Sequence, residues 1–221
     1  MDCIYLAAGL SVRMKREIPK QFMTLLGKPI MVYALEVLEN LDAIESIYIT
    51  YNPDFKKLYE DVIKAYNLSK CELVVGGGTR QESVMCGLQR VKSERVLIHE
   101  AARPMITSDF IKRLINFDDK AVVPTIPIPF TVSAGGDFME AELDRSKLHN
   151  IQLPQLFDTE TLIRAHKLAQ EQQHYATEDG ILVFRLGEKV RFVQGLENNI
   201  KITTPFDLIL AESILMGAEQ W

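Results

Sequence analysis

At 221 residues, with 47% hydrophobic and 25% charged side chains, the chain can bury one sizeable core and has the balance of an ordinary soluble globular protein. Its formal net charge of −5 supplies no global basic field, which argues against nucleic acid as a partner but leaves room for a local cationic pocket. No apolar run approaches the ~20 residues of a membrane span, the strand-like N-terminus lacks a secretory pattern, and Cys3, Cys71 and Cys86 read as free thiols of a reducing cytoplasm.

Cys3 to Ala8 forms a short apolar run that reads as a strand stopping at Gly9. Behind it come Ser11, Arg13, Lys15, Arg16 and Lys20, with Pro19 stiffening the backbone before Lys20. Backbone N–H groups in such a turn make an anion-binding concavity, and the cations behind it suit phosphates; a plain solvated loop is the alternative. A helix is expected from Pro29 to about Asn40, with Pro29 at its first position and Ile30, Ala34, Leu35 and Leu38 along one side. Ser46 to Tyr51 alternates as a strand, Phe55 to Tyr66 as an amphipathic helix, and Glu72 to Val75 as a strand ending at three glycines, Gly76 to Gly78. Thr79 and Glu82 have the spacing of a capping box for the next helix, which sets Arg80 and Ser83 in its first turn at the positive end of the dipole.

Arg95 to His99 is the next strand, and Glu100 and Arg103 follow at its carboxyl end, where open parallel sheets gather ligands. On chemistry alone they serve equally as site residues or as an ion pair closing a turn. His99 could help to hold a loop, but a structural histidine is the preferred reading. Lys120 to Pro127 reads as a buried strand, and Phe130 to Leu143 as a hairpin about Gly135-Gly136 that projects from the body. Asp158 caps a helix running to about Gln170; Thr177-Glu-Asp179 opens another, its acids explained by the helix dipole. Lys189 to Val193 is a strand, Lys201 lies in a β-like segment between Ile200 and Ile202, and Thr204, Pro205 and Asp207 start a last helix. His149 and His166 have no Cys or His at ligand spacing, which argues against zinc. Alternation of strands and helices predicts an α/β fold: a Rossmann-like, mostly parallel sheet flanked by helices, with a projecting β-hairpin arm. Residues 1–221 form a single domain in this reading, with 128–150 as the arm.

Ala7-Ala-Gly-Leu-Ser-Val-Arg-Met14 with Pro19-Lys-Gln21 resembles the signature loop of sugar-nucleotide-type nucleotidylyltransferases. Further segments, Gly76 to Leu88, His99-Glu-Ala-Ala-Arg-Pro104, Pro154-Gln155, Thr177-Glu-Asp179 and Asn199 to Thr203, are similar to the 2-C-methyl-D-erythritol 4-phosphate cytidylyltransferase family. The motifs come in family order over nearly the whole chain; ribitol 5-phosphate cytidylyltransferases share most of this framework. The resemblance implies a nucleotidyltransferase that moves a cytidylyl group from CTP to a polyol phosphate and releases pyrophosphate. It further implies Mg2+, a homodimer and a cytoplasmic setting, with neither nucleic acid nor membrane as partner. Ala7, Ala8, Gly9, Gly78, Arg80 and Ser83 would bind the nucleotide; Arg13, Lys20 and Lys201 would be catalytic. Glu100, Arg103, Thr131, Arg145 and Thr177 would contact the acceptor, Arg145 reaching over from a second subunit, and Glu100 would face the metal. Other departures are Ser11 for Gly, Glu100 for Asp, Leu153 for Thr, and Phe130 and Ser133 for polar or charged residues. A CTP-binding protein without turnover is the alternative from another class, and pyrophosphate release separates the two.

Overall fold

The computed structural model describes residues 1–9 and 18–218. Its first strand, β1 (Asp2–Leu6), is followed by a two-stranded ribbon, β2 (Thr24–Leu25) and β3 (Lys28–Pro29), and then by α1 (Ile30–Glu39). Next come β4 (Ser46–Tyr51), α2 (Lys56–Ala65), β5 (Cys71–Val75), α3 (Arg80–Leu88), β6 (Arg95–Glu100), α4 (Ser108–Ile115) and β7 (Ala121–Pro127). The arm holds β8 (Ser133–Gly135) and β9 (Met139–Glu142). The chain closes with β10 (His149–Ile151), β11 (Gln155–Asp158), α5 (Thr159–Glu171), α6 (Asp179–Arg185), β12 (Arg191–Gln194) and α7 (Pro205–Ala218).

Eight strands make the central sheet, in the path β10-β7-β11-β6-β1-β4-β5 with β12 beside β7. β5, β4, β1 and β6 run parallel, while β11 runs antiparallel to both β6 and β7 and β10 antiparallel to β7. The sheet is therefore mostly parallel, as expected. Strand alternation sorts β1 between two cores. Cys3 and Tyr5 pack with Leu35 of α1, Tyr59 of α2 and Ile111 of α4, whereas Ile4 and Leu6 pack with Val84 of α3, Leu162 of α5 and Leu182 of α6. A third cluster seats Ile202 under Leu25, Ile30 and Ala211 of α7, tying the end of the chain to its beginning.

Pro29 differs from expectation. It lies before α1 and pairs with Thr24 across a turn at Leu26 and Gly27, whose φ angles are +47° and +82°. The acids of α6, read as dipole partners alone, also have another role, described below. The capping box at Thr79 and Glu82 is present in both directions, and Asp158 accepts from the Thr161 N–H as expected. In the arm, Ser133 pairs with Glu142 and Ala134 with Ala141 before a bulge, and Phe130, Phe138 and Met139 stand exposed.

Candidate active site

The chain runs β1, β4, β5 in one direction across the sheet and then returns to lay β6 on the other side of β1. The carboxyl end of β1 is thus the switch point where open α/β sheets leave a crevice. A cavity of about 690 Å3 opens there. Its wall comes from four strand ends: Ala7 to Gly9 after β1, Tyr51 to Pro53 at the end of β4, Gly76 to Gly78 after β5, and Glu100 to Ala102 at the end of β6. Lys20 and Gln21, the start of α3 (Thr79, Arg80 and Ser83), and Lys201 and Thr203 complete it.

Close backbone approach sets the shape of the glycine run. A Cβ on Gly76 would stand 2.7 Å from the Ala8 Cβ, so any larger residue would push the β1 and β5 ends apart. Ser83, one turn into α3, accepts from the Gly77 N–H at 3.1 Å and donates to the Thr79 carbonyl at 2.9 Å. The loop is held by the helix it precedes.

Arg80 turns from the start of α3 into a cluster of acids. Its Nε donates to Glu100 Oε1 at 3.0 Å, Nη1 lies 2.8 Å from Asp179 Oδ2, and Nη2 lies 3.5 Å from Glu178 Oε2. Lys201 Nζ closes on the other Glu100 oxygen at 2.5 Å. Burial by itself would raise the Glu100 carboxyl, but Lys201 and Arg80 outweigh it and hold the group at about 2. Asp179 is likewise buried, yet Arg80 and a hydrogen bond from His166 Nε2 at 2.9 Å keep it at about 2. Glu178 has the weakest pairing of the three; burial pushes it up to about 7 in spite of Arg80.

The two lysines come from opposite ends of the chain. Lys20 opens a short 3-10 turn behind Pro19 and donates to the Ile202 carbonyl at 2.8 Å. The Ile202 N–H in turn donates to the Ala102 carbonyl at 2.8 Å. Buried Ile202 therefore anchors a segment that sets Lys201 against β6 and receives Lys20. That segment is not a strand, although its alternation holds, with Ile202 turned into the core and Lys201 toward Glu100.

The structure brings Ala7, Ala8, Gly9, Lys20, Gly78, Arg80, Ser83, Glu100 and Lys201 to one cavity. Arg13 lies outside the described residues. Arg103 points elsewhere: its Nη1 donates to the Asn199 carbonyl at 2.8 Å and its Nη2 lies 3.4 Å from the Ile151 carbonyl. His99, buried and held by desolvation near 4, meets the Arg103 carbonyl through Nε2 at 2.9 Å, so it does hold that loop. Thr131, Arg145 and Thr177 are exposed, and the cavity wall does not include them. Leu153, a departure near the acceptor motif, is fully buried among the α5 and α6 side chains and repacks a core. Sequence reading missed Glu178, Asp179 and His166 as the setting of Arg80, and missed Gln21 and Asn52 on the wall.

A mostly parallel α/β sheet whose strand ends gather phosphate-suited cations around a glycine loop is the framework of a nucleotide-binding transferase. The family model described as "IspD: 2-C-methyl-D-erythritol 4-phosphate cytidylyltransferase" matches residues 1–217, and the chain belongs to that family of nucleotidyltransferases. It is 36% identical to the Geobacillus kaustophilus 2-C-methyl-D-erythritol 4-phosphate cytidylyltransferase, over 97% of this chain and 96% of the relative. The Clostridium novyi protein of that name is 39% identical over 96% and 95%. Among solved structures, a 4-diphosphocytidyl-2C-methyl-D-erythritol synthase of Anaerococcus prevotii superimposes with a TM-score of 0.86 at 27% identity, covering 97% of this chain and 95% of that one. The Thermus thermophilus 2-C-methyl-D-erythritol 4-phosphate cytidylyltransferase gives 0.77 at 27% identity, covering 96% and 97%.

Proposed function

We propose that the chain transfers a cytidylyl group from CTP to 2-C-methyl-D-erythritol 4-phosphate and releases pyrophosphate, in isoprenoid precursor synthesis. Family membership over residues 1–217 supports the chemistry, and the observation that carries it to particular side chains is the convergence of Lys20, Lys201 and Arg80 on one switch-point cavity. An oxygen of the acceptor phosphate attacks the α-phosphorus; the new P–O bond forms as the bond to the β-phosphate oxygen breaks. No covalent enzyme intermediate is needed. Positioning and charge stabilisation suffice for such a displacement.

In this reading Ala7 to Gly9, Gly78 and Ser83 hold the nucleotide, and Arg80 orders the base-side loop. Lys20 and Arg13 hold the triphosphate and the leaving pyrophosphate, while Lys201 counters charge at the α-phosphate. Glu100 bridges Arg80 to Lys201 and so links the base side to the phosphate side. Arg103 keeps the loop after β6 in place. Thr131, Thr177 and a partner copy's arm with Arg145 complete the acceptor side of a homodimer. The setting is cytoplasmic, and no helix among the described residues is long and apolar enough to cross a membrane.

Magnesium belongs to the same proposal, although both oxygens of Glu100 are engaged by Arg80 and Lys201. Glu100 is the one carboxylate on the described cavity wall, and no group of three His, Cys, Asp or Glu among the described residues could cage a metal. An ion there would be held mainly by substrate phosphates with Glu100 as the nearest carboxylate, and it would supply charge neutralisation. A pyrophosphate-release assay tests the function, with CTP set against UTP, ATP and GTP as donors, and with methylerythritol, ribitol, erythritol and glycerol phosphates compared as acceptors. CTP with 2-C-methyl-D-erythritol 4-phosphate is the expected pair. A purine preference, or an advantage of about 10²-fold for another acceptor, would overturn the base or the acceptor assignment. Sedimentation of the full chain and of an arm deletion checks the dimer; an active monomer would remove the in-trans role of Arg145.

A further inference from the structure

The Ala7 carbonyl, where the chain leaves β1 for the cavity, accepts two hydrogen bonds from buried side chains. Gln21 Nε2 donates at 2.6 Å and the Tyr59 hydroxyl at 2.6 Å. Gln21 Nε2 also donates to the Tyr59 oxygen at 2.8 Å, which closes a triangle, and it lies 3.5 Å from the Gly9 carbonyl. Tyr59 comes from α2 and is fully buried; the rings of Phe22, 4.6 Å away, and Tyr51, 5.5 Å away, meet it edge-on. Burial pushes its hydroxyl up to about 12, so it remains a donor at neutral pH.

The Ala7 to Gly9 segment has almost no side chains with which to fix itself. Among the described residues, no carbonyl accepts from the Ala8 or Gly9 N–H, and both residues face the cavity. Gln21 immediately follows Lys20, so whatever fixes Gln21 also fixes the turn that presents the lysine. Tyr59 joins the two.

We propose that Tyr59 is a positioning residue for the nucleotide. Acting through Gln21, it holds the Ala7–Gly9 backbone and the Lys20 turn in one arrangement, so that N–H groups and ammonium meet the triphosphate together. The proposal rests on the reading that this cavity takes CTP.

Tyr59→Phe keeps the ring and removes the oxygen. Calorimetric titration of the full-length variant should show CTP bound about tenfold more weakly, with KM for CTP rising alike. KM for the polyol phosphate should stay within about twofold, and the melting temperature within a few degrees, because the Ala7 carbonyl keeps its bond from Gln21. Gln21→Leu should lose as much, and the double variant no more than either single, since the three groups act as one unit. CTP affinity within about twofold of wild type in Tyr59→Phe would overturn the proposal. So would losses that multiply in the double variant, or an equal loss for nucleotide and acceptor. Titrating UTP and ATP beside CTP extends the comparison to another base. Because nucleotide binding is read directly, absence of turnover with 2-C-methyl-D-erythritol 4-phosphate would count against the proposed function and leave this comparison standing.

Discussion

Arg80, on the cavity wall, meets three carboxylates within 3.5 Å, whereas Arg145, in the arm, donates to one backbone carbonyl, that of Pro129, at 3.2 Å and stands exposed. The same difference runs through their surroundings. Glu100, Ser83 and Asp179 are buried and held by named partners, while Phe130, Phe138 and Met139 of the arm face solvent. The nucleotide wall carries its geometry within one chain. The arm carries fewer such ties, with Arg145 on the Pro129 carbonyl and Asp144 on Ser146. Preorganisation on the nucleotide side suits a reaction whose triphosphate must be gripped, and it makes the wall the side on which single substitutions should cost most.

Removing the wall arginine should give the largest effect. Arg80→Leu leaves Glu178 and Asp179 without their shared cation and Glu100 with Lys201 alone, a loss of about 3–5 kcal/mol in urea unfolding. Arg145→Leu should fall within about 0.5 kcal/mol of wild type in the same measurement. Equal losses would erase the contrast. Next in size, Lys20→Ala and Lys201→Ala should each lower turnover by about 10²-fold, since charge placed on the transition state in a dry site is worth several kcal/mol. The melting temperature of Lys20→Ala should stay close to wild type, whereas that of Lys201→Ala should fall because buried Glu100 is left with Arg80 alone, and near-normal turnover in either would take that lysine out of the site.

The pH dependence sharpens the contrast within the wall itself. Glu100 and Asp179, held near 2, stabilise the fold above their ordinary values of 4.5 and 3.8, and that stability is lost as pH falls toward 2. His99, held near 4 against an ordinary 6.5, also costs stability on acidification, between 6.5 and 4, where only the unfolded chain takes the proton. Glu178 has the opposite sign. At about 7 its folded value lies above the ordinary 4.5, so its contribution is complete below pH 4.5 and gone once pH rises past 7. Between pH 5 and 8, wild type should lose stability relative to Glu178→Gln by on the order of 2 kcal/mol, read from urea unfolding at both ends. Parallel curves would place Glu178 among ordinary exposed acids. The smallest effect belongs to the arm: Arg145→Ala should raise KM for the acceptor by about five- to tenfold while CTP affinity stays unchanged, which steady-state kinetics and calorimetry together decide.

Local signals in the sequence were enough for elements whose cause is local. The capping box at Thr79 and Glu82, the Asp158 cap and the hairpin about Gly135-Gly136 each depend on residues a few positions apart, and each is found where its spacing puts it. Motif resemblance supplied most of the cavity residues, because three of the four strand ends that build the wall carry motifs; the β4 end, with Asn52, carries none. Long-range partners were not legible. Arg80 finds Asp179 from 99 positions away and the Ala7 carbonyl finds Tyr59 across 52, and neither pair has a period or a composition that announces it. Glu178 and Asp179 had a sufficient explanation at the start of α6, and that local answer hid the distant one. Leu153 is a different case. Named only as a departure from the family pattern, it is buried in the core with side chains of α5 and α6.

The bond from Lys20 to the Ile202 carbonyl spans 182 positions. On a ribosome, β1, β4, β5 and β6 can pair once about half the chain is made, because domains build from the N-terminus and each of these strands neighbours one already present. The lysine pair cannot form until the final helix has seated Ile202. Competence therefore comes last, well after the sheet exists. Recovery of activity after dilution from denaturant should lag behind recovery of secondary structure, and a chain cut short before residue 200 would hold a folded sheet without a working site.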